Sequence, residues 1–253
     1  MSVSDPVIPL LLTTFAGLAT GVGSLSAFGW RQPHPWFLAA SLGFSAGVML
    51  FVTFLELLPR AVADIGFAGA NIAFFVGIAV IAVLDLVIPH EYAAETESRG
   101  GADEAMKRAG TLVALGIAIH NFPEGMVTFA AATSDIALGA TVAVAVGLHN
   151  AAEGVSVALP ILYATGDRRR AFLYSLLSGL TEPVGGVVTW LFLSSFLSSW
   201  LLPSLLAFTG GIMVFISLDE LLPVAHRHAS PHVVIAGVVA GMALMAATLV
   251  LLG

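Results

Sequence analysis

The sequence predicts an all-α membrane protein of eight transmembrane helices built on an inverted repeat. Three observations predict it. Of 253 residues, 58% are hydrophobic and only 10% charged, against roughly 25% charged in an ordinary soluble domain. Apolar runs of about 20 residues, each enough to cross a ~30 Å hydrocarbon core, recur from one end of the chain to the other. Two of these runs also repeat one another's sequence while crossing in opposite directions. No soluble domain is evident, and residues 1–253 read as a single transmembrane domain.

The spans fall near residues 7–29, 36–58, 68–88, 110–133, 136–160, 170–196, 201–222 and 231–252. Asp5 precedes the first span and no Lys or Arg does, so it lacks the basic segment of a secretory signal peptide and is expected to remain. The nine Lys and Arg decide orientation, because positive residues of short connections stay in the cytoplasm. Arg31, the trio Arg99, Lys107 and Arg108, the run Arg168, Arg169 and Arg170, and Arg227 all fall in odd-numbered connections. Only Arg60 dissents. Both termini therefore read as extracytoplasmic, and residues 89–110 as a polar cytoplasmic loop between helices three and four. The absence of cysteine excludes disulfides and thiolate metal sites. The net charge of −7 and the scattered bases leave no nucleic-acid-binding face.

Residues 41–61, "SLGFSAGVMLFVTFLELLPRA", align without gaps on residues 205–225, "LLAFTGGIMVFISLDELLPVA". They match at Leu42/Leu206, Phe44/Phe208, Gly47/Gly211, Met49/Met213 and Phe51/Phe215, and through Glu56-Leu57-Leu58-Pro59 and Glu220-Leu221-Leu222-Pro223. These are spans two and seven, an odd number of crossings apart, so they run antiparallel. Inverted repeats around a midplane site recur in secondary transporters.

The spans hold acids without bases: Glu56, Asp85, Glu124, Glu153, Glu182, Asp219 and Glu220, with no Lys or Arg among them. A charged carboxylate at mid-membrane costs at least ~2.5 kcal/mol and normally faces a cavity or a partner. The partner must be a proton or an external cation. Glu124, Glu153 and Glu182 fall near the centres of their spans, whereas Glu56, Asp219 and Glu220 lie near ends.

Two of the central acids share a motif, "HNFPEG" at 120–125 and "HNAAEG" at 149–154. His120, Asn121 and Glu124 share one helical face and turn, as do His149, Asn150 and Glu153. Two antiparallel helices facing each other in this way offer imidazoles, amide oxygens and carboxylates around one volume, which suits a metal cage. Pro123 deprives the Ile119 carbonyl of its helical partner and predicts a kink, and Gly125 and Gly154 permit close helix approach. In "SGLTEPVGG" (178–186), Pro183 likewise predicts a break at Gly179, beside Glu182 as a further ligand, and Met49 is a weaker one. Nitrogen and oxygen donors suit Zn²⁺, Fe²⁺, Mn²⁺ or Co²⁺ and disfavour a Cu(I) site. Such ligands bind with imidazole neutral and carboxylate ionised, so affinity should fall with pH.

With these motifs, "SAGVMLFVTFLELLP" on span two and "SGLTEP" on span six, the chain resembles the ZIP (Zrt/Irt-like protein) family of divalent-metal transporters, in its ZupT and GufA-like branches, over nearly its whole length. The resemblance implies eight helices in a 3+2+3 arrangement, the first three related to the last three by an inverted repeat, with spans four and five central. It also implies a two-metal centre: His120, Glu124, Glu153 and His149 around one metal with Met49 at its edge, and Asn121, Asn150 and Glu182 around the other, bridged by Glu124 and Glu153. In "LDLVIPHEY" (84–92), Asp85 and His90 resemble positions on the cytoplasmic route, and Glu56 and Glu220 are further pathway candidates. The chain departs from the ZupT branch at Ala151-Ala152, where x-Pro is often found, and it lacks a long His-rich loop.

The function implied is uptake of divalent cations into the cytoplasm by alternating access, Zn²⁺ foremost, with Fe²⁺, Mn²⁺, Co²⁺ or Cd²⁺ as further cargo. An intramembrane metal-dependent hydrolase and a metal-selective channel are the alternatives. No enzyme activity and no catalytic cofactor are expected; the metal is cargo. The expected partners are metal ions, the lipid bilayer of a prokaryotic inner membrane and, by family analogy, a second copy of the chain.

Overall fold

The computed structural model describes residues 5–25, 28, 34–87, 118, 121–193 and 200–252. Among these residues every regular element is a helix. Helix α1 is Val7–Ser24, and α2 is Pro35–Val52, which passes through a π turn at Thr53–Leu57 into α3, Leu58–Val87. Residues 121–134 form α4. Then follow α5, Ile136–Thr165, α6, Arg168–Gly179, and α7, Thr181–Val188, which ends in a π turn at Thr189–Leu193. Helix α8, Leu201–Ile216, passes through a π turn at Ser217–Leu221 into α9, Leu222–His228, and α10 is Pro231–Leu252.

Six helical runs are long and apolar enough to cross a membrane: Val7–Ser24, Pro35–Leu84, Ile136–Leu159, Arg168–Phe192, Leu201–His228 and Pro231–Leu251. The second has 50 residues, about 75 Å at 1.5 Å per residue and more than twice a ~30 Å hydrocarbon core. It is interrupted at Gly66, whose φ of 75° and ψ of 164° lie outside any helix. Glycine adopts that backbone without a Cβ penalty, so the chain changes direction there. Between α4 and α5 the carboxylate of Asp135 accepts the Leu138 N–H at 3.0 Å. After α5, Gly166 turns the chain at φ 63° and Asp167 accepts the N–H groups of Arg169 and Arg170 at 2.9 and 3.1 Å. These caps satisfy amides that each helix start would leave bare.

Burial separates the helices. The Ile136–Leu159 run is 82% buried, while the Pro35–Leu84 and Pro231–Leu251 runs are only 22% buried. Helix α5 is therefore central, and α3 and α10 turn large apolar side chains outward, among them Phe67, Ile72, Leu86, Ile235 and Val250. An outer surface of this kind suits lipid and no aqueous solvent.

Glycine decides which helices touch. A Cβ at Gly47 of α2 would collide with the Val238 carbonyl of α10, and one at Gly211 of α8 with the Phe74 carbonyl of α3. In the same two pairs Gly241 meets the Phe44 carbonyl and Gly77 meets that of Phe208. Each member of these pairs has its counterpart 164 positions away. The repeat read between spans two and seven thus extends through their partners α3 and α10. The π turns Thr53–Leu57 and Ser217–Leu221 obey the same offset, so the widened turn is part of the repeat.

A second set of close approaches joins α1, α4, α5, α6 and α7. Gly125 of α4 lies against the Glu182 carbonyl and Gly185 of α7 against that of Phe122; Gly154 of α5 lies against the Thr20 carbonyl and Gly23 of α1 against that of Ala151. Gly17 and Gly179 face each other. Among the described residues, every glycine that meets another helix's backbone this tightly does so within one of these two groups.

Candidate metal centre

The predicted break in span six is present: α6 ends at Gly179, Leu180 forms a turn, and α7 begins at Thr181. Pro183 has no N–H to offer the Gly179 carbonyl, and the broken turn brings Glu182 inside the bundle. Ile119 and His120 lie outside the described residues, so the kink expected at Pro123 is not described either.

Asn121, Glu124, His149, Asn150, Glu153 and Glu182 are all buried to within 1% exposure. His149 Nε2 lies 3.2 Å from Glu124 Oε2, which joins α5 to α4. Asn150 Nδ2 donates to Glu182 Oε1, which joins α5 to α7, and to the Ala16 carbonyl of α1 at 3.0 Å. Asn121 Nδ2 donates to the Ser178 carbonyl at 3.4 Å. The two asparagines are thus anchored alike, each by its amide to a carbonyl of the same repeat position, since Ala16 and Ser178 are 162 apart.

Their acceptor ends are left over. Asn121 Oδ1, Glu124 Oε1, Asn150 Oδ1 and Glu182 Oε2 are buried and make no hydrogen bond among the described residues. An unmet buried polar atom costs about 1–3 kcal/mol and is rare outside functional sites. Four of them from three neighbouring helices form an oxygen-rich volume in an apolar bundle, the arrangement a cation would satisfy. Among the described residues no three His, Asp or Glu side chains close on one point. Amide oxygens supply two of the four open acceptors here.

Met49 is fully buried on α2 and its sulfur accepts the Ser217 hydroxyl at 3.7 Å. Glu56 behaves differently from its expected place among unpaired acids. The helix continues past it, and Arg60 one turn later binds its carboxylate, with the Arg60 side chain 46% exposed. Glu220 lies in the π turn after α8 and is half-buried. Asp85 belongs to α3, its side chain undescribed, and His90 lies outside the described residues, as does the loop 89–110.

One relation escaped the motifs. The stretch "GLATGVG" at 17–23 aligns on "GLTEPVG" at 179–185, which puts Thr20 at the repeat position of Glu182. Thr20 is fully buried. This repeat therefore carries an acid on one side only, and the short Gly-Leu-x-x-x-Val-Gly pattern is the signal for it.

Comparison with known proteins settles the family. A family model described as ZIP zinc transporter matches residues 87–249. The chain belongs to the ZIP family. Proteins described as zinc transporter ZupT are similar along nearly the full length. The one from Corynebacterium efficiens is 48% identical, covering 99% of both chains. That from Clostridium perfringens is 42% identical over 99% of this chain and 98% of its own. That from Akkermansia muciniphila is 44% identical over 99% of both. Residues 87–249 include both His-Asn motifs and Glu182.

Proposed function

We propose that this chain takes up divalent metal ions, Zn²⁺ foremost, through the bacterial inner membrane by way of a site formed by His120, Asn121, Glu124, His149, Asn150, Glu153 and Glu182, with Met49 at its edge. The observation that carries the reading is the set of four buried acceptor oxygens on α4, α5 and α7 that find no donor among the described residues. The family and its zinc-transporting relatives supply the cargo. Eight crossings follow when the 50-residue run is counted as two, divided at Gly66, and α4 as the end of another. Both termini then lie outside, by the distribution of Arg and Lys. Two metals share the cage, with Glu124 and Glu153 between them. Asp85, His90 and Glu220 line the approach to the cytoplasm, and Glu56, held by Arg60, lies at the opposite end. Fe²⁺, Mn²⁺, Co²⁺ and Cd²⁺ are further cargo by ligand type, and a second copy of the chain is a partner by family analogy.

The test is entry of Zn²⁺, Fe²⁺, Mn²⁺ and Cd²⁺ into liposomes carrying the purified protein. Zinc entry that saturates with concentration is expected. No entry of any of the four, together with hydrolysis of a lipid or peptide, would overturn the reading in favour of a metal-dependent hydrolase.

A further inference from the structure

A threonine inside a helix can close its hydroxyl on the carbonyl four residues earlier. On α1, Thr13 and Thr14 do so, at 2.8 Å from the Pro9 oxygen and 2.7 Å from that of Leu10. Thr20 does not. Its hydroxyl is fully buried and makes no hydrogen bond among the described residues, and the Ala16 carbonyl four residues before it accepts the Asn150 amide instead. The Thr20 backbone is held in place, because its carbonyl accepts the Ser175 hydroxyl at 3.2 Å. The side chain lies over Gly179, where an added Cβ would sit 2.7 Å from Thr20 Oγ1. Gly179 follows Ser178, whose carbonyl anchors the Asn121 amide.

The repeat identifies the neighbour of this hydroxyl. Gly154 lies against the Thr20 carbonyl as Gly125 lies against that of Glu182, and Gly23 meets Ala151 as Gly185 meets Phe122. Thr20 and Glu182 are 162 apart, as are Ala16 and Ser178, while Asn121 and Asn150 are 29 apart, as are Gly125 and Gly154. One two-fold relation therefore carries α1 and α5 onto the α6–α7 run and α4. Under it, the contact of Asn150 with Glu182 has as its counterpart a pairing of Asn121 with Thr20. Glu182 is long enough to reach its asparagine. Threonine is shorter, and Thr20 Oγ1 and Asn121 Oδ1 are both left unmet among the described residues.

We infer that the Thr20 hydroxyl is a neutral oxygen donor of the metal centre, set beside Asn121 Oδ1 where the other half carries the Glu182 carboxylate, and that it helps to choose among ions. The inference rests on the transport reading for the cargo, and on the unmet hydroxyl and the repeat for the position. With a threonine here the acids of the cage remain Glu124, Glu153 and Glu182. A dication is then held less tightly than a fourth carboxylate would hold it, as transport requires, because an ion must leave each site it enters. A hydroxyl is also a hard donor, which suits Mn²⁺ better than Cd²⁺.

The test is Thr20→Val in the full chain in detergent, which keeps the side chain's shape and removes the hydroxyl. Unfolding temperature is read without metal and with excess Zn²⁺, and Mn²⁺ and Cd²⁺ affinities by titration calorimetry. Loss of an unmet buried hydroxyl should leave the metal-free protein at least as stable. The rise in unfolding temperature with Zn²⁺ should shrink, and the Mn²⁺ Kd should grow roughly tenfold, with a smaller change for Cd²⁺. Thr20→Ser, which restores the hydroxyl, should return both readings toward the wild type. An unchanged response to Zn²⁺, equal losses for Mn²⁺ and Cd²⁺, or a less stable metal-free variant would each overturn the inference. If the wild-type chain moves no dication into liposomes yet Thr20→Val loses Mn²⁺ affinity, the transport reading fails and the place of the hydroxyl in the metal centre stands. No dication binding by the wild type would overturn both.

Discussion

Asn150 ties three helices together, since its amide reaches both Ala16 and Glu182 while its oxygen finds no donor among the described residues. Replacing it with alanine should weaken zinc binding roughly 10–100-fold, the range seen when groups that orient metal ligands are removed; isothermal titration checks this. Zinc binding should also weaken on acidification, because protons and metal compete for the same lone pairs. His120→Ala should therefore cost more affinity at neutral than at acidic pH. Equal losses at the two would contradict a neutral imidazole ligand. At this scale the sequence is legible where its chemistry is unusual: His-Asn-x-x-Glu set among apolar residues marks polar side chains that the structure buries, Asn121, Glu124, His149, Asn150 and Glu153. It is less legible where an ordinary pair forms along one helix. Glu56 reads as an unpaired acid when Arg60 is placed in a connection, yet the helix continues and sets them one turn apart.

Helices are legible from apolar length, and the break at Gly179 from Pro183. The π turns at Thr53–Leu57 and Ser217–Leu221 are not, because no local residue pattern marks an inserted residue. They occupy the same place in the two copies of the repeat. Close helix contact makes a sharper prediction. Gly47→Leu and Gly211→Leu each force a side chain into a carbonyl of the neighbouring helix. Each should lower stability by about 1–3 kcal/mol, the usual cost of overpacking, seen as a lower unfolding temperature in detergent. Gly66→Leu has space for its side chain but must adopt φ 75°, so its cost is backbone strain of about 1–3 kcal/mol.

The largest unit the sequence discloses is one pair of repeated spans. Side-chain character cannot show which helix lies beside which, so the inverted repeat that the family resemblance implies takes its neighbours from backbone approaches: α2 with α10 as α8 with α3, and α1 with α5 as α7 with α4. Those approaches divide the bundle into two groups that meet across the apolar cavity wall formed by Val52, Val142 and Val146. Transport by alternating access needs one such boundary to slide or rock. The chain has no cysteine, so introduced pairs report cleanly. Ala19→Cys with Gly147→Cys lies within one group, where a Cβ at Gly147 would sit 3.6 Å from that of Ala19, suited to a disulfide. Zinc entry should survive that bond. A short bifunctional thiol reagent joining Val52→Cys to Val146→Cys spans the boundary and should stop entry until reduced.

The central claim is that buried oxygens on α4, α5 and α7 hold the travelling ion, and Glu153 is its most exacting test because it is fully buried on α5, the most buried of the long helices. The measurement is zinc entry into liposomes for wild type and Glu153→Ala, matched for folded protein by size-exclusion profile. The account predicts rapid, saturable entry for the wild type and entry near the protein-free background for the variant. Unchanged entry in a folded Glu153→Ala protein would contradict it.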